Sequence, residues 1–123
     1  MPAYAVAHLR NVRMGPAIAE YLERIDATLA PFGGLFRIHG ARSQVVEGAW
    51  TGDLIMIEFP SLADAEAWYA SPAYQAILPL RTANAEGDTL LIEGVEPEHR
   101  ATDILRTAEP PSAAPACRAR PGS

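Results

Sequence analysis

The chain contains no lysine and one cysteine, Cys117. One thiol cannot close an internal disulfide, and no CxxC pair or Cys/His spacing suits a metal. A disulfide scaffold and a zinc module are therefore excluded. No apolar run approaches the ~20 residues needed to cross a bilayer. No basic segment followed by an apolar one marks a signal peptide, so a cytoplasmic location is the expectation. All ten basic residues are arginines, set against fifteen acids, for a net charge of −5. Residues 1–96 hold twelve acids and six arginines, whereas residues 97–123 hold three acids and four arginines. The acidic front part would repel a polyanion, so no nucleic acid and no membrane surface is expected as a partner.

What remains is the composition of a folded protein. Of the 123 residues, 49% are hydrophobic and 20% charged, enough for one domain and a tail. The domain is read as residues 1–96. Residues 97–123 carry five of the eleven prolines and read as a Pro/Ala-rich, largely disordered tail, with one or two helical turns between Glu98 and Thr107.

Within the domain, Tyr4 to Arg10 reads as a strand. Gly15-Pro16 opens a helix with Ile18, Tyr21, Leu22, Ile25 and Leu29 on one stripe, and Gly33-Gly34 ends it. Leu35 to His39 and Gln44 to Glu47 read as one long strand bent at Gly40. Leu54 to Phe59 is the clearest strand, followed by Pro60-Ser61 with Ser61 as helix cap and Asp64 in capping-box position. Ser71-Pro72 separates that helix from a second short one running to about Leu80, and Asp88 to Val95 closes the order β-α-β-β-α-β. This order implies an α+β fold: a ferredoxin-like antiparallel sheet, 4-1-3-2, with its helices on one face.

A sheet half in water alternates apolar and polar residues. Here both faces are greasy: Leu54, Met56 and Glu58 oppose Ile55, Ile57 and Phe59, and Tyr4 and Val6 oppose Ala5, Ala7 and Leu9. Helices cover one face only. A second copy is the expected cover for the other, giving a homodimer that encloses a cavity between its sheets.

Several stretches then resemble a known family. They are Gly33-Gly34-Leu35-Phe36, Val46-Glu47-Gly48-Ala49-Trp50, Ile57-Glu58-Phe59-Pro60-Ser61, Ala67-Trp68-Tyr69-Ala70-Ser71-Pro72-Ala73-Tyr74, Leu80-Arg81 and Leu91-Ile92-Glu93-Gly94-Val95. In this order they resemble domain of unknown function 1330, of the dimeric α+β-barrel superfamily. The resemblance implies two ferredoxin-like subunits forming a dimeric α+β barrel. It implies no single activity, since the superfamily includes cofactor-free monooxygenases, isomerases, cyclases and stress proteins. His39-Gly40-Ala41 departs from the family's usual Arg-Gly-Gly.

Strand pairing brings Glu58 opposite Tyr4 and His8 opposite Leu54, and His39 is expected near Glu58. Tyr4, His39 and Glu58 form the candidate catalytic set: a carboxylate on an apolar wall serves as general base, with an imidazole or phenol assisting. The alternative is that Glu58 pairs with Arg42 or Arg81 and only fixes the register. His8, Trp50, Tyr69 and Arg81 are the candidate substrate-binding residues. Arg81 either binds a substrate carboxylate or pairs with Glu47 or Glu58. Trp68 is read as core. The three histidines lack HxH or HxxxH spacing, so no metal and no cofactor are expected. The reading is a small-molecule-binding homodimer with cofactor-free isomerase or cyclase chemistry. Its alternatives are a non-catalytic ligand-binding or stress-associated protein, and a cofactor-free monooxygenase.

Overall fold

The structure is a computed structural model and describes residues 1–107. The remaining tail, with Cys117, lies outside the described residues. Four strands form one antiparallel sheet: β1 (Ala3–Arg10), β2 (Leu35–His39), β3 (Asp53–Phe59) and β4 (Glu86–Glu93), in the order β2-β3-β1-β4. This is the ferredoxin-like arrangement implied by the element order. Helix α1 (Pro16–Leu29) links β1 to β2, and α2 (Leu62–Ala70) and α3 (Pro72–Thr82) link β3 to β4. A short helix, α4 (Asp103–Thr107), follows the sheet.

Local chemistry sets the helix ends. Pro16 occupies the first turn of α1, where its missing N–H costs nothing. Ser61 caps α2 by accepting from the Asp64 N–H at 3.1 Å. The Ser71 hydroxyl oxygen accepts from the Tyr74 N–H and so starts α3 directly after α2.

The core lies between helices and sheet. Ala5, Ile57 and Phe59 meet Tyr21, Ile25 and Leu29 of α1, Ala65 and Trp68 of α2, and Tyr74 and Ile77 of α3. The Trp68 indole N–H donates to the Thr28 hydroxyl at 3.0 Å, and that hydroxyl donates to the Ile25 carbonyl, so the buried polar atoms are paired. Among the described residues, α1, α2 and α3 all pack on this core side and leave the other sheet face bare. Its rows read Leu35–Glu58–Tyr4–Ile92, then Ile38–Met56–Val6–Leu90, then Leu54–His8–Asp88.

Two expectations about strands need correction. The long second strand does not continue through Gln44–Glu47: β2 ends at His39, and residues 41–47 form no regular element. Gly40 takes φ 70°, a left-handed conformation that ends the strand rather than bending it. The last strand begins two residues earlier than its composition suggests. Gly87 lies so close to the His8 carbonyl that no Cβ would fit, and this contact pairs β4 with the end of β1.

Candidate functional site

Between the helix layer and the sheet, within a single subunit, lies a cavity of about 280 Å³. Its floor is the helix face of the sheet, where Ala5, Ala7 and Leu9 of β1 lie beside Ile55 and Ile57 of β3. The small alanines of β1 leave the space that larger side chains would fill. Ile18, Tyr21, Leu22 and Ile25 of α1 form one wall, and Trp68, Tyr74 and Arg81 another. The two tyrosines and Trp68 are buried, whereas Met14, Gly40 and Asp53 at the other end are exposed. The cavity is thus closed at the aromatic end and open where β1, β2 and β3 meet the loop before α1.

The closed end holds a compact polar cluster. The Tyr21 and Tyr74 hydroxyls are 2.7 Å apart, and Arg81 Nη2 donates to the Tyr74 hydroxyl oxygen at 3.5 Å. The guanidinium carbon sits 5.9 Å from the centre of the Tyr21 ring. Tyr74, Ile77 and Arg81 fall at i, i+3 and i+7, so α3 presents all three on its buried face. The Trp68 ring packs 4.1 Å from that of Tyr74 and fixes its orientation.

Burial raises the Tyr21 phenol well above its ordinary pKa; the Tyr74 hydroxyl adds to this and Arg81 partly opposes it. Burial works against the charge of Arg81, but the phenol oxygens of Tyr74 and Tyr21 more than offset it, and its pKa lies above the ordinary value. At neutral pH Arg81 is therefore a cation beside the protonated Tyr21 phenol. A guanidinium can only donate, so it donates to the Tyr74 hydroxyl oxygen, and either phenol can donate to the other across the 2.7 Å contact. That contact uses one of the two phenolic protons and leaves the other for the cavity.

The candidate residues divide between the two sheet faces. His39 lies on the helix face, lines the cavity and stacks on Phe36 at 4.4 Å. Glu58 and Tyr4 oppose each other on the bare face, as the strand pairing predicts. The expected Tyr4, His39, Glu58 cluster is therefore not assembled. The reason is a bulge: Phe36 opposes Ile57 but Ile38 opposes Met56, so Arg37 is an extra residue in β2. Regular alternation would place Phe36 and His39 on opposite faces; the bulge places both toward the helices. The register, which sets Leu35 opposite Glu58, also puts His39 beside Ile55 at the other end of the pairing. Glu58 pairs with Arg37 at 2.9 Å, not with Arg42 or Arg81.

The remaining residues follow the same division. His8 lies on the bare face with Trp50 stacked on it at 4.4 Å. Arg10 donates to His8 Nδ1 at 3.2 Å, so Nε2 carries the proton and donates to the Thr51 carbonyl, tying the loop before β3 to β1. Trp50 thus lies on the bare-face side of the sheet, away from the helix–sheet cavity. Tyr69 packs against the core, its ring 5.6 Å from that of Tyr74, and does not line the cavity. Arg81 does line it, with tyrosines rather than Glu47 or Glu58 as its neighbours. Tyr21 and Tyr74 were not among the sequence candidates. The available signal was Arg81 itself, a charge on an otherwise apolar helical stripe. Among the described residues, no group of three or more His, Cys, Asp or Glu could hold a metal.

No curated protein matches the chain in sequence. Solved structures share its fold. The RPA0582 protein of unknown function from Rhodopseudomonas palustris is 18% identical with TM-score 0.60, covering 78% of this chain and 84% of that one. A dimeric ferredoxin-like protein of unknown function from Jannaschia sp. CCS1 is 16% identical with TM-score 0.59, covering 76% and 100%. SnoaB, a cofactor-independent oxygenase from Streptomyces nogalater, is 13% identical with TM-score 0.57, covering 80% and 98%. At these identities the likeness is one of fold. Sequence is more specific: a family model matches residues 2–95, and the chain belongs to the family described as Domain of unknown function (DUF1330).

Proposed function

We propose that the protein is a cytoplasmic homodimer that binds a small apolar or aromatic molecule in the helix–sheet cavity of each subunit. The cavity carries this reading: about 280 Å³, preformed, and lined mostly by apolar side chains with a few convergent polar groups. The chemistry available there is acid–base and requires no cofactor. His39, at the open end, is placed to take a proton from a bound molecule, and the Tyr21 hydroxyl, at the closed end, to stabilise a developing oxyanion. Isomerisation and cyclisation are reactions of this type. Tyr4, Glu58, His8 and Trp50 then belong to the subunit contact, on the face the helices leave bare. Dimeric ferredoxin-like neighbours support the second copy.

The test is a thermal-shift screen of one- and two-ring compounds against the wild type and Ala7→Leu, which fills the cavity floor. Binders should raise the wild-type Tm and leave Ala7→Leu unmoved. Equal shifts in both proteins would place binding elsewhere. A second reading is favoured by the fold shared with a cofactor-independent oxygenase. A substrate that reacts with oxygen once deprotonated would make the His39 step a prelude to oxygenation. Oxygen uptake on adding a binder separates it from a simple isomerisation.

A further inference from the structure

The buried guanidinium of Arg81 is the feature that the proposed pocket leaves unexplained. We infer that Arg81, Tyr74 and Tyr21 form an anion anchor, and that the ligand is a flat one- or two-ring molecule with a single carboxylate. This rests on the reading of the cavity as a small-molecule site and adds the class of ligand.

Arg81 keeps only 9% of its surface exposed. Its side chain has five N–H donors, and the acceptors beside it are two phenol oxygens, Tyr74 at the long distance of 3.5 Å and Tyr21. Among the described residues no carboxylate lies within salt-bridge distance of it. Buried charges are normally paired, because a cation removed from water without a partner is costly. Here the cation faces a cavity instead of a protein carboxylate. A ligand carboxylate would complete the pair, with the planar fork giving two parallel hydrogen bonds.

The two tyrosines extend the anchor. The Tyr21–Tyr74 hydrogen bond uses one of the two phenolic protons, and the other has no acceptor among the described residues. It becomes a further donor toward the same anion. The rest of the ligand must be apolar and flat, because the surrounding wall is Trp68, Ile25 and Ile57 beneath Tyr74. It must also be small, since the space is about 280 Å³. More than one negative charge is selected against. Asp53 lines the open end, and the whole chain carries −5.

The experiment uses the full chain with two probes of the same shape, 2-naphthoate and neutral 2-naphthamide, titrated by calorimetry. The wild type should bind naphthoate at least ~10-fold more tightly, the order expected for one buried charge-assisted pair. Arg81→Met should bind the two probes equally. Arg81→Lys, which keeps the charge, should retain part of the preference, and Tyr21→Phe should lose affinity for naphthoate but not for naphthamide. Circular dichroism verifies the fold of each variant; if Arg81→Met does not fold, Arg81→Lys and Tyr21→Phe decide the matter. Equal binding of both probes to the wild type would overturn the anchor and leave the cavity reading intact. Undiminished preference in a folded Arg81→Met would also overturn it. If neither probe binds the wild type, the cavity reading fails and the anchor fails with it.

Discussion

Tyr21 shows how one position on a helical stripe acquires chemistry. Its spacing marks it as core, and its ring packs as core. Its hydroxyl nevertheless meets Tyr74 at 2.7 Å within reach of Arg81, and burial raises its pKa. This has a consequence for stability. An unfolded tyrosine releases its proton near 10.0, whereas folded Tyr21 holds it to higher pH. Above that value the native state binds more protons than the unfolded chain, so stability falls as pH rises. Below it, the contribution is fully present. Urea unfolding between pH 8 and 11 should show stability dropping above about pH 10. The drop should be shallower in Tyr21→Phe, and a parallel decline in both proteins would mean that Tyr21 titrates normally.

Strand β2 shows how an element redirects a side chain without any change in composition. Its bulge absorbs Arg37 and turns both Phe36 and His39 toward the helices. Deleting Arg37 should leave Leu35 opposite Glu58 and His39 opposite Ile55, now in a regular ladder. The loss is then the Arg37–Glu58 pair, whose side chains are 53% and 32% exposed and which water screens. Such a pair contributes at most about 1 kcal/mol. Chemical denaturation of the deletion variant should show a loss of that size. A loss above about 3 kcal/mol would mean that the bulge geometry itself is needed for folding.

At the scale of the molecule, the bare sheet face is the dominant feature. Leu35, Leu90 and Ile92 are each more than half exposed there, and Val6 and Met56 lie between them. A contiguous apolar patch of this kind marks an interface. In the proposed dimer Leu90 is covered by the partner, while in a lone subunit it faces water. Leu90→Glu should therefore preserve the subunit fold and separate the dimer, since the new carboxylate would be buried unpaired. Light scattering should show the mass falling from twice 13.2 kDa to 13.2 kDa. A wild type already at 13.2 kDa would remove the dimer, and an unchanged Leu90→Glu dimer would place the contact on another surface.

The order of elements, the helix caps and the two greasy faces of the sheet were all legible in the sequence. They depend on neighbours a few residues away: Ser61 reaches Asp64, and Tyr4 and Glu58 meet because antiparallel strands alternate regularly. The site was legible only in part. Arg81 announced itself as a charge on an apolar stripe, but its partners come from α1 and from seven residues earlier on its own helix. The side on which His39 lies was not legible. One extra residue in an edge strand decides it, and no local preference marks Arg37 as that residue. The location of the cavity was decided in the same way, by packing. Alternation shows that both faces are apolar; only the distance between α1, α3 and the alanines of β1 leaves the space on the helix side. Local sequence fixes which groups a face can offer, and tertiary packing decides which of them share a volume.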